Sequence, residues 1–216
     1  MFLHELPGAV WDKVPVAEAR QHYNLLTLSD DSVDLPDMFG DEPEYFLVHR
    51  GDLVIDGGVR LVDDFSTEIS TLYAIDGDLT VSGPLSLGNL DSNSSLVVTG
   101  SLHAPDLIAT GHGQLFVSGS LTVPGLLVTG LADAGHLVVH GTTTVGAWIE
   151  VNGRGAIYLT PPQNARLIGS PDNCYFGDEE TPESPQDALL AEFIRDGRPD
   201  TAAIAQAIRD RRPVLR

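Results

Sequence analysis

The chain has 216 residues, 42% of them apolar, and a net charge of −19 from 31 acids against 12 bases. That length suits one domain with a sizeable core, and the apolar fraction is neither that of a disordered chain nor that of a membrane protein. Such acidity excludes ordinary nucleic-acid binding, which needs a cationic footprint, and disfavours anionic membrane surfaces. No run of about 18 apolar residues occurs, which argues against a transmembrane helix. The start, Met1-Phe-Leu-His-Glu-Leu6, lacks a basic region followed by an apolar one, so no signal peptide is expected. Cys174 is the single cysteine and excludes an internal disulfide. A cytoplasmic site is the expectation.

Residues 1–52 read as an N-terminal capping segment. Pro15 to Tyr23 predicts a short helix with Pro near its first position. Ser29 to Glu44 is an acidic, breaker-rich loop carrying Leu35, Met38 and Phe39. Tyr45-Phe-Leu-Val48 reads as a strand feeding the first coil.

Residues 53–168 carry a repeat. Its copies are Leu53-Val-Ile-Asp-Gly57, Tyr73-Ala-Ile-Asp-Gly77, Leu96-Val-Val-Thr-Gly100, Leu115-Phe-Val-Ser-Gly119 and Leu137-Val-Val-His-Gly141, with Ile157-Tyr-Leu-Thr-Pro161 as a worn sixth. Their starts are 20, 23, 19, 22 and 20 residues apart, a solenoid period. Leu53/Ile55, Tyr73/Ile75, Leu96/Val98, Leu115/Val117, Leu137/Val139 and Ile157/Leu159 alternate with variable residues, as a strand with one buried face requires. A second alternation follows in Val59/Leu61, Leu79/Val81, Leu102/Ala104, Leu121/Val123 and Thr143/Val145. A third is Leu85/Leu87, Leu107/Ala109, Leu126/Val128 and Ile149/Val151. Three strands per coil make a three-sided prism. The column Gly57, Gly77, Gly100, Gly119 and Gly141 reads as a corner that uses positive φ. Insertions collect after the third strand, at Asn89 to Ser95, Gly111 to Gln114 and Leu131 to His136, and project on one side of the stack.

Residues 169–216 hold an acidic loop, Gly169 to Glu183, and then two expected helices. Ser184 caps the first, with Pro185 at its first position and Asp187 at its third; Leu189, Leu190, Phe193 and Ile194 form its stripe and Gly197 ends it. Asp200 caps the second, whose stripe is Ala203, Ile204, Ala207 and Ile208, and which stops before Pro213. The pair is expected to form a helical hairpin over the last coil, because bare solenoid ends are unpaired strand edges. The basic tail from Arg209 to Arg216 is expected to fold back on the acidic body.

Chemical signatures are sparse. His103, His112, His136 and His140 stand at unrelated offsets in the repeat, so no metal-ligand column is expected. Asp56 and Asp76 occupy one column, a layer apart, at about the carboxylate spacing of a retaining glycosidase. Asp is also common beside a corner for turn reasons, and the turn role is favoured. Gly111-His-Gly113 precedes no helix and is not a phosphate loop. No catalytic, cofactor-binding or metal residue is assigned, and no cofactor is expected.

Gly77-Asp-Leu-Thr-Val-Ser-Gly83 and Gly119-Ser-Leu-Thr-Val-Pro-Gly125 resemble the repeats of bactofilins, a family of bacterial polymer-forming cytoskeletal β-helices. The likeness covers residues 53 to about 160. It implies a β-helix and, functionally, a filament or scaffold subunit. The uneven coils and the expected caps depart from the regular, open-ended repeats of that family.

The sequence thus predicts an all-β fold, a parallel, right-handed β-solenoid of about six coils with a C-terminal helical cap. Acids are spread evenly, 11, 10 and 10 over residues 1–52, 53–160 and 161–216, whereas the bases number 3, 2 and 7. Between residues 53 and 160 only Arg60 and Arg154 are Lys or Arg. The leading expectation is a non-enzymatic monomer or small homo-oligomer that binds a basic protein partner, such as an immunity protein neutralising a toxin. The alternatives are a bactofilin-like scaffold and a carbohydrate-active enzyme working through Asp56 and Asp76.

Overall fold

The computed structural model describes residues 3, 6, 8–23, 44–61, 71–88, 94–151, 153–170, 174–176 and 181–216. The acidic run 29–43, the insertion 89–93 and most of the loop 171–180 lie outside the described residues.

The repeat forms a stack of parallel coils. The first face is built from β2 (Tyr45–Arg50), β5 (Thr71–Asp76), β8 (Ser94–Val98), β11 (Gln114–Val117), β13 (His136–Val139) and β15 (Ala156–Tyr158), in that order. The second face stacks β3 (Leu53–Ile55), β6 (Leu79–Val81), β9 (Leu102–His103) and the first halves of β12 (Leu121–Leu131) and β14 (Thr143–Glu150). The third stacks β4 (Val59–Leu61), β7 (Leu85–Leu87), β10 (Leu107–Gly111), the second halves of β12 and β14, and β16 (Arg166–Ile168). That gives five complete coils and a partial sixth. Every second residue of each face turns inward. One cluster, from Leu53 and Tyr73 through Val98, Leu121 and Trp148 to Leu167, fills the prism. No single coil could close this interior, so each supplies the next with buried surface, about 1.5–3 kcal/mol per large apolar side chain.

Three details differ from the expected frame. First, the opening phrase Leu53 to Gly57 belongs to the second face. Leu53 and Ile55 lie beside Leu79 and Val81, and it is Leu47 and His49 of β2 that lie beside Tyr73 and Ile75. Tyr45–Arg50 is therefore the first strand of the first coil, and Ile55 shares the interior with Ile75 but not its column. Alternation has the same period on every face, so a strand of the second face reads like one of the first.

Second, the third column slips by one residue. Leu127 and Trp148 point inward beside Leu107, while Val128 and Ile149 point outward. The second corner is one residue longer in the coil holding Pro124 and Gly125, where the ladder breaks register between Val123 and Leu126. A one-residue change exchanges the two sides of a strand.

Third, the glycine column serves a different purpose. Among its members only Gly57 has positive φ (+99°), and it sits at another corner. The true column is Gly51, Gly77, Gly100, Gly119 and Gly141, stacked by hydrogen bonds such as Gly100 N–H to Gly77 O at 2.9 Å. A β-carbon on Gly77, Gly100, Gly119 or Gly141 would lie within 2.7 Å of the preceding coil's backbone. Close approach, not left-handed φ, selects glycine at those four positions.

Both ends are covered. β1 (Asp12–Pro15) pairs antiparallel with β2 at the edge of the first face. Buried Leu3 and the Trp11 ring, 5.5 Å from Tyr73, close the interior there. α1 (Val16–Tyr23), where the sequence placed it, lays Val16 and Ala19 on the outer side of this face with Phe46 and Val48. At the other end a 3-10 turn, Cys174–Phe176, inserts Phe176 edge-on to Trp148 at 4.9 Å, and the Tyr175 hydroxyl donates to the Gly155 carbonyl. Glu183 bridges to Ile168 as a further rung, held by Arg166 at 2.7 and 2.9 Å.

The C-terminal helical hairpin does not form. α2 (Pro185–Ala188) is a single turn. Leu189 and Leu190 are extended, a 3-10 turn spans Ala191–Phe193, and β17 (Ile194–Arg195) pairs with β18 (Arg198–Pro199). Asp196 and Gly197 between them both have positive φ, the hairpin turn that Asp-Gly favours. The apolar stripe is still buried, through extended and hairpin backbone. α3 (Thr201–Arg209) matches the expected second helix, and Asp200 accepts from Ala203 N–H at 3.0 Å. Ile204, Ala207 and Ile208 pack with Ile108, Val128, Ile149 and Ile168, so the segment lies along the outer side of the third face rather than across the last coil. The tail folds back by pairing Leu215 with Leu189.

Candidate interaction surface

The outer rows of the first and third faces join buried clusters. The second face differs. Its outer row is Val54, Thr80, His103, Thr122 and Thr144, in adjacent register. Val54 is 75% exposed, His103 and Thr144 are exposed, and Thr80 and Thr122 are half-buried. At about 4.8 Å per layer this row is about 19 Å long. It is a flat, open patch of parallel sheet on rigid backbone.

Polar corner ladders border it. Asp52 accepts from Asp78 N–H at 2.9 Å, Asp78 accepts from Ser101 N–H at 2.7 Å, and Ser101 accepts from Ser120 N–H at 3.1 Å. At the opposite corner Ser82 accepts from Gly57 N–H and donates to Asp56, and Asp106 accepts from Leu126 N–H at 2.9 Å. These side chains satisfy corner N–H groups that the strand ladders leave open. The charged residues in this border are carboxylates; no Lys or Arg lies in its strands or in these ladders.

Asp56 and Asp76 do not form a pair. Asp76 ends β5 on the first face and accepts from the Thr99 hydroxyl at 3.3 Å, whereas Asp56 follows β3 on the second and bonds to Ser82. They shared a column only in the displaced frame of the first copy. The histidines also disperse: His103 on the second face, His112 in the turn before β11, His136 on the outer side of the first face and His140 after β13. Among the described residues no group of three or more His, Cys, Asp or Glu stands close enough to hold a metal ion. The Thr-rich row was not singled out from the sequence, although its signal is there, in the polar alternate positions of the second repeat strand.

His136 carries a pH dependence. Its ring stacks on Phe116 at 6.2 Å and its Nδ1 lies 3.1 Å from the Ala134 carbonyl. Burial holds its pKa below the ordinary value, against the opposing pull of that carbonyl. The unfolded chain therefore binds the proton more readily. Stability from this residue is full above the unfolded value, about 6.5, and is lost as pH falls below it. The unfolding free-energy difference between wild type and His136→Gln is expected to shrink from pH 7.5 to pH 5.5 in urea melts; a constant difference contradicts this assignment.

By class, this is a parallel β-solenoid whose second face is exposed along its outer row. The chain matches no family model, no curated protein and no solved structure. No helix among the described residues is long and apolar enough to cross a membrane.

Proposed function

We propose that the protein is a non-enzymatic, cytoplasmic β-solenoid that binds a basic protein partner on its second face. The observation that carries this reading is the exposed row Val54, Thr80, His103, Thr122 and Thr144, with carboxylates in its corner ladders and no Lys or Arg in its strands. A net charge of −19 steers a cationic partner toward such a patch and raises the association rate. An immunity protein neutralising a basic toxin fits this chemistry.

The filament alternative, of bactofilin type, requires bare ends, and the covers at Leu3, Trp11 and Phe176 speak against it. The sugar-acting alternative has lost the carboxylate pair on which it rested.

Affinity capture from a lysate of the source cells tests the proposal. A partner should be retained by the wild type at low salt, released by about 0.5 M salt, and weakened about tenfold or more by Thr122→Arg, which sets a cation within the row. A partner held equally by the variant and in high salt rules the reading out.

A further inference from the structure

The outer row of the third face changes character along the stack. Arg60 on β4 lies beside Ser86 on β7, which lies beside Ile108 on β10, followed by Val128, Ile149 and Ile168. The C-terminal segment buries this row from Ile108 onward. Where that cover stops, a cleft of about 400 Å³ opens between the sheet and α3, with Arg60, Ser86, Thr110, Ala202 and Arg209 in its walls. A second hollow of about 230 Å³ shares Arg60, Ser86 and Arg209 with it and adds Arg211 beside the corner glycines 57 and 58. The larger of the two is of a size that suits a small molecule.

Neither hollow is lined by Asp or Glu, in a chain with 31 of them. Arg50, Arg154, Arg166, Arg195 and Arg212 each pair with a carboxylate. The side chains of Arg60 and Arg211 make no hydrogen bond or ion pair among the described residues, and Arg209 donates to the Gln206 amide oxygen at 2.9 Å. Arg60, Arg209 and Arg211 thus line the smaller hollow together, and Arg60 and Arg209 also line the larger cleft, with no carboxylate among the described lining residues.

Arg211 adds an independent sign. α3 ends in a double hydrogen-bonded turn, Arg212 N–H to Ala207 O at 2.9 Å and Arg211 N–H to Ile208 O at 3.1 Å. The residue at the turn, Arg211, has φ +55°, where glycine is the usual occupant. A side chain there is held at an energetic cost of about 1 kcal/mol, and it lines the smaller hollow.

We propose that this cleft binds a small organic phosphate. Arg60, Arg209 and Arg211 hold the phosphate, since guanidinium forks match its oxygens two at a time. Ser86 and Thr110 add neutral hydroxyls, and Ile108, Ala202 and Ala205 take the organic part. The site lies on a different face from the proposed partner surface and does not depend on it.

Calorimetric titration of the full chain with ribose 5-phosphate tests this, with ribose as the control. Saturable binding of the phosphate ester alone is expected. Arg60→Gln and Arg209→Gln should each weaken it about tenfold or more. Arg211→Gly should weaken it similarly while leaving the urea midpoint unchanged or higher, because glycine relieves the left-handed turn. Arg198→Gln, which lines neither hollow, should have no effect. Absence of saturable binding up to about 10 mM, equal binding of ribose, or a loss that does not follow these three arginines overturns the proposal.

Discussion

Replacement of Trp148 by alanine is expected to lower the unfolding free energy by about 3–5 kcal/mol, read as a fall in the urea midpoint by far-ultraviolet circular dichroism. Trp148 is fully buried, stands edge-on to Phe176, and donates its indole N–H to the Thr129 hydroxyl at 2.8 Å. Alanine removes the ring, leaves a void at the closed end of the stack and strips Phe176 of its support. Trp148→Phe keeps most of the volume and loses the hydrogen bond, so about 1 kcal/mol is expected. Stability in a solenoid is a sum over neighbouring coils. Hydrogen exchange should therefore quicken most in β13 to β16 and least in β2 to β4. A uniform increase would mean that the coils unfold as one unit and that Trp148 is no local plug.

Gly119→Ala is the second large effect, about 1–3 kcal/mol of destabilisation or more. The added methyl group would lie 2.6 Å from the Gly100 carbonyl oxygen, and backbone cannot rotate away as a flexible side chain can. Two other glycines separate the possible causes. Gly130 has ordinary φ and its β-carbon would meet nothing nearer than 3.6 Å, so Gly130→Ala should be close to neutral in the same melts. Gly57 has φ +99° and open space around its β-carbon, so Gly57→Ala should show backbone strain alone, about 1 kcal/mol. Equal losses at Gly119 and Gly57 would return the glycine column to a question of φ rather than of coil stacking.

Much of the site lay beyond the reach of periodicity. Asp56 and Asp76 looked paired because two strands from different faces carry the same phrase, and only their registers with Leu79 and Leu47 separate them. The second face was visible as a strand column, but nothing local says that its outer row stays bare. That depends on where α1 and the C-terminal segment come to rest. The arginine cleft is similar: Arg60 and Arg211 are 151 residues apart by number, and the composition shows only that bases are scarce.

Along the chain, alternation of period two and a recurrence near 20 residues were enough to determine the solenoid, its inward residues on most strands, α1 and α3. These features are local or repeat faithfully, so each copy reinforces the others. The tertiary structure decided what each corner does with one residue more or fewer, why glycine stands in the column, and that the stripe after Ser184 is buried without a long helix. The reason is the same in each case. Burial of an apolar side chain is rewarded by whatever surface it meets, and hydrocarbon contact does not record which backbone form delivers it.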